Sequence, residues 1–176
     1  MKCTALAVPG AFLVDVEPQE DERGFFARTY CREEFARLGV EFPVGQCSVS
    51  GNRAEHTLRG MHYQAAPCPE TKLVRCTAGR VWDCVVDLRP ASPAYKRWAA
   101  AELSAANHRA LLVPEYCAHG FLTLAPDTEL LYVISAPFVP ACARGVRWND
   151  PAFGIAWPAE PRVLSERDRA YPDFKD

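Results

Sequence analysis

His62 stands in the string TLRGMHYQ, three residues after Arg59 and separated from it by Gly60 and Met61. Histidine is the side chain best placed to exchange protons near neutral pH. On a regular strand Arg59 and His62 would face opposite sides, so Gly60 is expected to mark a bulge that turns both into one cavity. Taken alone, the string also fits a core histidine beside a surface arginine, because RGxH carries little specificity. His119, in VPEYCAHGFLTL, sits between the turn signals Pro114 and Gly120 with apolar flanks. A metal centre built on a β-barrel would want a close pair of histidines, a carboxylate and a third histidine. His62 is followed by Tyr63 and Gln64, so the paired half is missing and no bound metal is expected. A site without metal must stabilise anionic intermediates with placed cations. Lys72, opening TKLVRC, and Arg23, in DERGFF, are candidates. Each has an ordinary reading too: a solvated lysine at a strand edge, and an arginine paired with its acidic neighbours.

Short strands must position these groups. Lys72–Cys76 and Arg80–Leu88 are β-rich runs joined through Ala78-Gly79, which predicts a hairpin; Ala110–Val113 and Glu129–Ser135 are two more. One short helix is expected over Cys31–Leu38, with Gly39 at its left-handed cap. Strand runs at close spacing, punctuated by 15 prolines and 10 glycines, argue for an antiparallel sandwich or barrel over alternating β-α units. From Pro137 onward periodicity is lost, and Trp148 and Trp157 predict a segment that wraps the barrel to bury its rings.

A chain of 176 residues fits one domain, residues 1–176, with a core of ordinary size. A net charge of -2 gives no electrostatic reason to expect a nucleic-acid partner. Eight cysteines are scattered without a CxxC pair, and most are expected to be reduced, buried small hydrophobes. The N-terminal apolar run is broken by Pro9 and turns acidic, a poor signal peptide. No stretch approaches the roughly 18 apolar residues of a membrane span. A soluble, cytoplasmic protein is therefore expected.

TLRGMHYQ resembles the dTDP-4-dehydrorhamnose 3,5-epimerase family, and matching pieces follow in order along nearly the whole chain: DERGFFART, GQCSVS, ETKLVRCTAGRVWDCVVDLRPASPAY, LVPEYCAHGFLTL, ELLYVIS, RGVRWNDPAFGIAWP and LSERD. The resemblance implies an all-β cupin jelly roll with a few short helices. It also implies a homodimer that exchanges N-terminal strands, a nucleoside-diphosphate 4-keto-6-deoxy sugar inside the barrel, and no cofactor. By the family pattern His62 is the general base and Asp168 orients it. Tyr132 is the proton donor on the opposite face of the ring, and Lys72 stabilises the enolate at the 4-keto oxygen. The physical logic fits: a C–H beside a ketone is a weak acid, so it needs a base near neutrality and charge stabilisation that appears with the enolate. Inversion needs a second proton-bearing group across the ring. Without the family, a tyrosine on a strand such as Tyr132 reads as core packing.

The same pattern implies diphosphate contacts from Arg59 and Arg23, the latter across a dimer, with Phe26 near the base. It implies nucleotide hydrogen bonds from Gln46 and Ser48, a sugar contact from His119, and a basic position at Arg167. Four positions depart from what many members carry: Arg28 replaces a glutamate near the pyrimidine, Ser48 an asparagine, Phe138 an aromatic alcohol and Ala143 an acid. All four belong to the nucleotide or sugar rim, so base identity is less defined than the chemistry. Two other classes are weighed. A metal-dependent cupin isomerase or dioxygenase is disfavoured by the missing histidine pair. A non-catalytic sugar-nucleotide binding protein is disfavoured by joint retention of His62, Tyr132, Lys72 and Asp168.

Overall fold

The computed structural model describes residues 1–175. The strands are β1 (Lys2–Ala5), β2 (Phe12–Asp15), β3 (Gln19–Asp21), β4 (Gly24–Phe26), β5 (Gln46–Asn52), β6 (Thr57–Gln64) and β7 (Lys72–Ala78). They continue as β8 (Arg80–Asp87), β9 (Trp98–Ser104), β10 (Ala110–Val113), β11 (Cys117–Thr123), β12 (Thr128–Ile134), β13 (Ala143–Gly145) and β14 (Val163–Leu164). Two short helices accompany them, α1 (Arg32–Arg37) and α2 (Glu166–Arg169). One sheet runs β1-β2-β10-β7-β12-β5; the facing sheet runs β13-β6-β11-β8-β9, with β14 pairing β6 in parallel; β3 and β4 form a separate hairpin. This is a cupin jelly roll.

Strand alternation explains the layers. Val74, Cys76, Leu111, Val113 and Leu130 of the first sheet meet Val81, Val85, Leu103, Cys117 and Phe121 of the second in one buried cluster. The intervening Leu73, Ala110 and Leu112 point the other way and are covered by Phe35 of α1 and by Phe42. The outer face of the second sheet, with Met61, Cys84 and Val86, is covered by Val146, Phe153 and Trp157 of the C-terminal segment. There Trp157 packs on Trp82 with ring centroids 5.0 Å apart and donates its indole N–H to the Trp148 carbonyl at 2.8 Å.

The helix predicted over Cys31–Leu38 forms with those residues as its caps, and Gly39 takes φ +75°. The hairpin predicted through Ala78-Gly79 does not form. Gly79, at φ +71°, instead carries the chain from one sheet to the other. β7 is claimed on both edges by β10 and β12, and β8 by β9 and β11, so neither has an edge left for its sequence neighbour.

The bulge predicted at Gly60 is present. His119 pairs with His62 and Phe121 with Arg59, so two steps along β11 span three along β6. Gly60 has φ +144°, and a Cβ there would lie 2.6 Å from the Gly120 Cα. A Cβ on Gly120 would meet the Arg59 carbonyl oxygen at 2.8 Å. Both strands therefore need glycine where they cross most closely. Among the described residues, no helix is long and apolar enough to cross a membrane.

Candidate active site

Between the open ends of the two sheets lies a cavity of about 840 Å³, within the size range of sites that enclose small ligands. Its walls carry His62, Lys72, Tyr132 and Asp168 together with Gln46, Ser48, Arg59, His119, Phe138 and Arg167. The first sheet contributes Lys72 from β7 and Tyr132 from β12, and the second contributes His62 from β6 and His119 from β11. The imidazole of His62 and the phenol of Tyr132 thus enter from opposing walls.

His62 Nε2 lies 2.6 Å from Asp168 Oδ1. Asp168 reaches this place because β14 runs parallel to the start of β6, with Leu164 opposite Leu58, and the chain then turns into α2. Ser165 caps that helix by accepting the Asp168 backbone N–H at 3.1 Å. The other carboxylate oxygen accepts the Gly60 N–H at 3.3 Å, so the bulge serves the acid as well as the base. Burial would push the Asp168 carboxyl up, but the hydrogen bond and charge of His62 and the bonds from Gly60 and Ser165 together hold it below its ordinary value. Asp168 therefore remains a carboxylate through the neutral range.

Lys72 is not a solvated edge lysine. β7 lies inside its sheet, and the Lys72 side chain is 9% exposed, in an ion pair with Glu70 at 3.0 Å. Its Nζ also donates to the His62 carbonyl at 3.2 Å. Gln64 donates to the second Glu70 oxygen at 3.1 Å and fixes the carboxylate from behind. Tyr132 sits edge-on to His119, ring centroids 5.9 Å apart. Burial, reinforced by the Asp83 carboxylate and opposed by Arg59, pushes the Tyr132 phenol well above its ordinary value, so it is held protonated.

Beneath the cavity floor His119 Nε2 meets Asp83 Oδ1 at 2.8 Å, and Asp83 is fully buried. Burial pushes the Asp83 carboxyl up against the pull of His119 and Lys72. Arg59 is braced by Asn52 Oδ1 at 2.7 Å and the Gly51 carbonyl at 3.2 Å. Gln46 accepts the Phe138 backbone N–H at 2.9 Å at the rim. Arg167 Nε donates to the Tyr171 hydroxyl at 2.9 Å, and the Tyr171 ring in turn stands 6.2 Å from that of His62. Among the described residues, no three His, Cys, Asp or Glu side chains cluster in a way that could hold a metal.

Arg23, Phe26 and Arg28 are not among the residues lining this cavity. Arg23 pairs with Asp21 on the β3–β4 hairpin, Phe26 is 78% exposed, and Arg28 pairs with Glu34 at 2.6 Å. Sequence reasoning overlooked Asn52, Gln64, Glu70 and Asp83. For Asp83 a signal was present: a carboxylate inside the apolar run RVWDCVVD needs a buried partner.

A jelly roll whose cavity gathers the half-exposed His62 with its Asp168 partner, the Tyr132 phenol and the Lys72 ammonium group is that of a cupin-class protein. The family model "dTDP-4-dehydrorhamnose 3,5-epimerase" matches residues 5–176, and the chain belongs to that family. It is 41% identical over 155 residues to the dTDP-4-dehydrorhamnose 3,5-epimerase of Sinorhizobium fredii, covering 88% of this chain and 80% of that one. The dTDP-4-dehydrorhamnose 3,5-epimerase of Bacillus anthracis, solved with TDP and PPi bound, superimposes with a TM-score of 0.93 at 38% identity, covering 98% of this chain and 99% of that one. A 4-keto-6-deoxy sugar epimerase from the novobiocin gene cluster of Streptomyces spheroides gives 0.92 at 32% identity, covering 98% and 87%. The chain is an isomerase.

Proposed function

We propose that the protein inverts C3, C5 or both of a nucleoside-diphosphate 4-keto-6-deoxy sugar. The observation that carries this reading is the entry of His62 and Tyr132 into one cavity from opposing sheets, with Lys72 on the same wall as Tyr132. With Nε2–H donated to Asp168, Nδ1 of His62 is the basic nitrogen that removes the proton beside the ketone. The electron pair moves onto the 4-keto oxygen, where the Lys72 ammonium meets the developing charge. As the electron pair returns from oxygen to carbon, Tyr132 delivers a proton to the opposite face; solvent then reprotonates the tyrosinate and takes up the proton held by His62. Inversion follows because the two protons travel on different sides.

Arg59 supports a diphosphate reading, and the TDP and PPi named for the Bacillus structure agree with it. Gln46, Ser48 and Phe138 at the rim take the nucleoside, His119 and Arg167 the sugar side. Arg23, Phe26 and Arg28 serve the cavity of a partner subunit in a homodimer built by exchange of N-terminal strands. The exposed apolar pair Phe25 and Phe26 on the hairpin supports that assembly. Sedimentation is expected at twice the 19.6 kDa chain mass; a monomer with full turnover would rule the exchange out.

The deciding test is incubation with dTDP-4-keto-6-deoxyglucose in deuterium oxide, followed at C3 and C5 by NMR. Deuterium is expected at one or both carbons with inverted configuration. Tyr132→Phe should keep exchange at C–H and lose inversion, since removal and return of the proton use different groups. Failure of the wild type to exchange any 4-keto sugar nucleotide sinks the reading. Equal inversion by the Tyr132 variant removes that residue from the donor role.

A further inference from the structure

Two sulfurs meet at the edge of the cavity wall. Cys142, closing the 3-10 turn Pro140–Cys142 just before β13, places its Sγ 2.7 Å from Sγ of Cys68, in the loop that follows β6. Their backbones are already tied: the Ala65 N–H donates to the Cys142 carbonyl at 2.9 Å, and the Cys68 N–H to the Ala65 carbonyl at 3.1 Å. Gln64 joins the same two segments from inside. Its Nε2 donates to the Cys68 and Pro137 carbonyls, each at 3.2 Å, and its Oε1 accepts the Val139 N–H at 2.6 Å. Cys142 is 5% exposed and Cys68 half-buried, so a small solute has one sulfur to reach and the second waits behind it.

We propose that Cys68 and Cys142 are a reversible disulfide site, a covalent staple between the loop after β6 and the turn before β13. The oxidant is a low-molecular-weight disulfide. The Cys68 thiolate attacks one of its sulfurs, breaking that S–S bond and expelling one small thiolate. The Cys142 thiolate then attacks the Cys68 sulfur of the mixed disulfide, forms the protein S–S bond and expels the second. Two protein thiols lose two electrons, and their two protons end on the two released small thiols. The contact with Cys142, together with burial, pushes the Cys68 thiol up, so oxidation quickens with rising pH.

The staple joins positions 74 apart in the chain. It restricts the unfolded state far more than the folded one, whose segments are already docked, and a rise in Tm of roughly 5–15 °C is expected. It also fixes the segment carrying Gln64 and Glu70, the groups that hold Lys72.

The full chain is incubated with oxidised glutathione, or with dithiothreitol as control, then unfolded and titrated for thiols. Loss of two of the eight thiols is expected, with a Cys68–Cys142 peptide pair in a non-reducing digest and the Tm rise in the oxidised sample. Cys68→Ser and Cys142→Ala should each abolish both the linked peptide and the Tm difference. Cys68→Ser alters the half-exposed position and guards against a folding defect from the buried one. An unchanged thiol count, a lasting glutathione adduct on Cys68, linkage to a different cysteine, or a mapped Cys68–Cys142 bond without a Tm rise would each overturn the proposal.

Discussion

His62→Ala is expected to lower kcat for epimerisation by about 10³–10⁴-fold, with deuterium incorporation falling in parallel. Three features place the effect on chemistry more than on binding. The imidazole is 39% exposed toward the cavity, so its removal opens space without unpacking a core. Its Asp168 partner keeps the Gly60 and Ser165 bonds when the ring is gone, which preserves the local backbone. The proposed phosphate-binding Arg59 is braced separately by Asn52. KM should therefore move by less than about tenfold, the pattern of an interaction made in the transition state. Asp168→Asn should cost roughly 10²-fold or more, because a neutral amide cannot stabilise the imidazolium that forms as the proton is taken. Steady-state kinetics with NMR readout of exchange checks both. A His62→Ala enzyme within tenfold of wild type would remove the base.

Lys72→Met is expected to act twice. Loss of the ammonium proposed to meet the enolate oxygen should lower kcat by about 10²–10³-fold. It also strands Glu70, whose side chain is 8% exposed, and breaking a buried pair from one side costs about 3–5 kcal/mol. That corresponds to a Tm drop of roughly 10 °C for a chain of this size. The two losses separate in the double variant Lys72→Met/Glu70→Gln. Neutralising Glu70 should restore most of the Tm and none of the turnover. If the double variant regains activity with stability, Lys72 is a structural counter-ion and the enolate is stabilised by another group.

Strand periodicity and turn residues were enough to read the all-β class, the short helix and the bulge that brings Arg59 and His62 together. The β7–β8 connection shows where that reading fails. Two strands joined by Ala78-Gly79 have the same local pattern whether they pair or diverge into facing sheets, and the competition from β10, β12, β9 and β11 that decides it is non-local. The site divides the same way. His62 and Lys72 were candidates by residue type with an ordinary reading beside each, whereas Tyr132 and Asp168 gained meaning only through the family pattern. Glu70 and Gln64 escaped notice because a Gln–Glu–Lys relay is unremarkable as a string; its role comes from burial at the mouth of the barrel. Arg23 and Phe26 lie on the β3–β4 hairpin and Arg28 just past it, none of them lining the cavity, so only the proposed partner subunit gives them a role there.

The pairing of His62 with Asp168 spans 106 positions, and Asp168 is delivered by β14, which pairs with β6, and by α2. At a synthesis rate of about 5–20 residues per second, the carboxylate emerges from the ribosome roughly 5–20 seconds after the imidazole. The nascent polypeptide therefore owns a ring without its counter-charge for the whole of that interval. The proposed base and the acid that orients it are thus made at separate times and meet only through the fold.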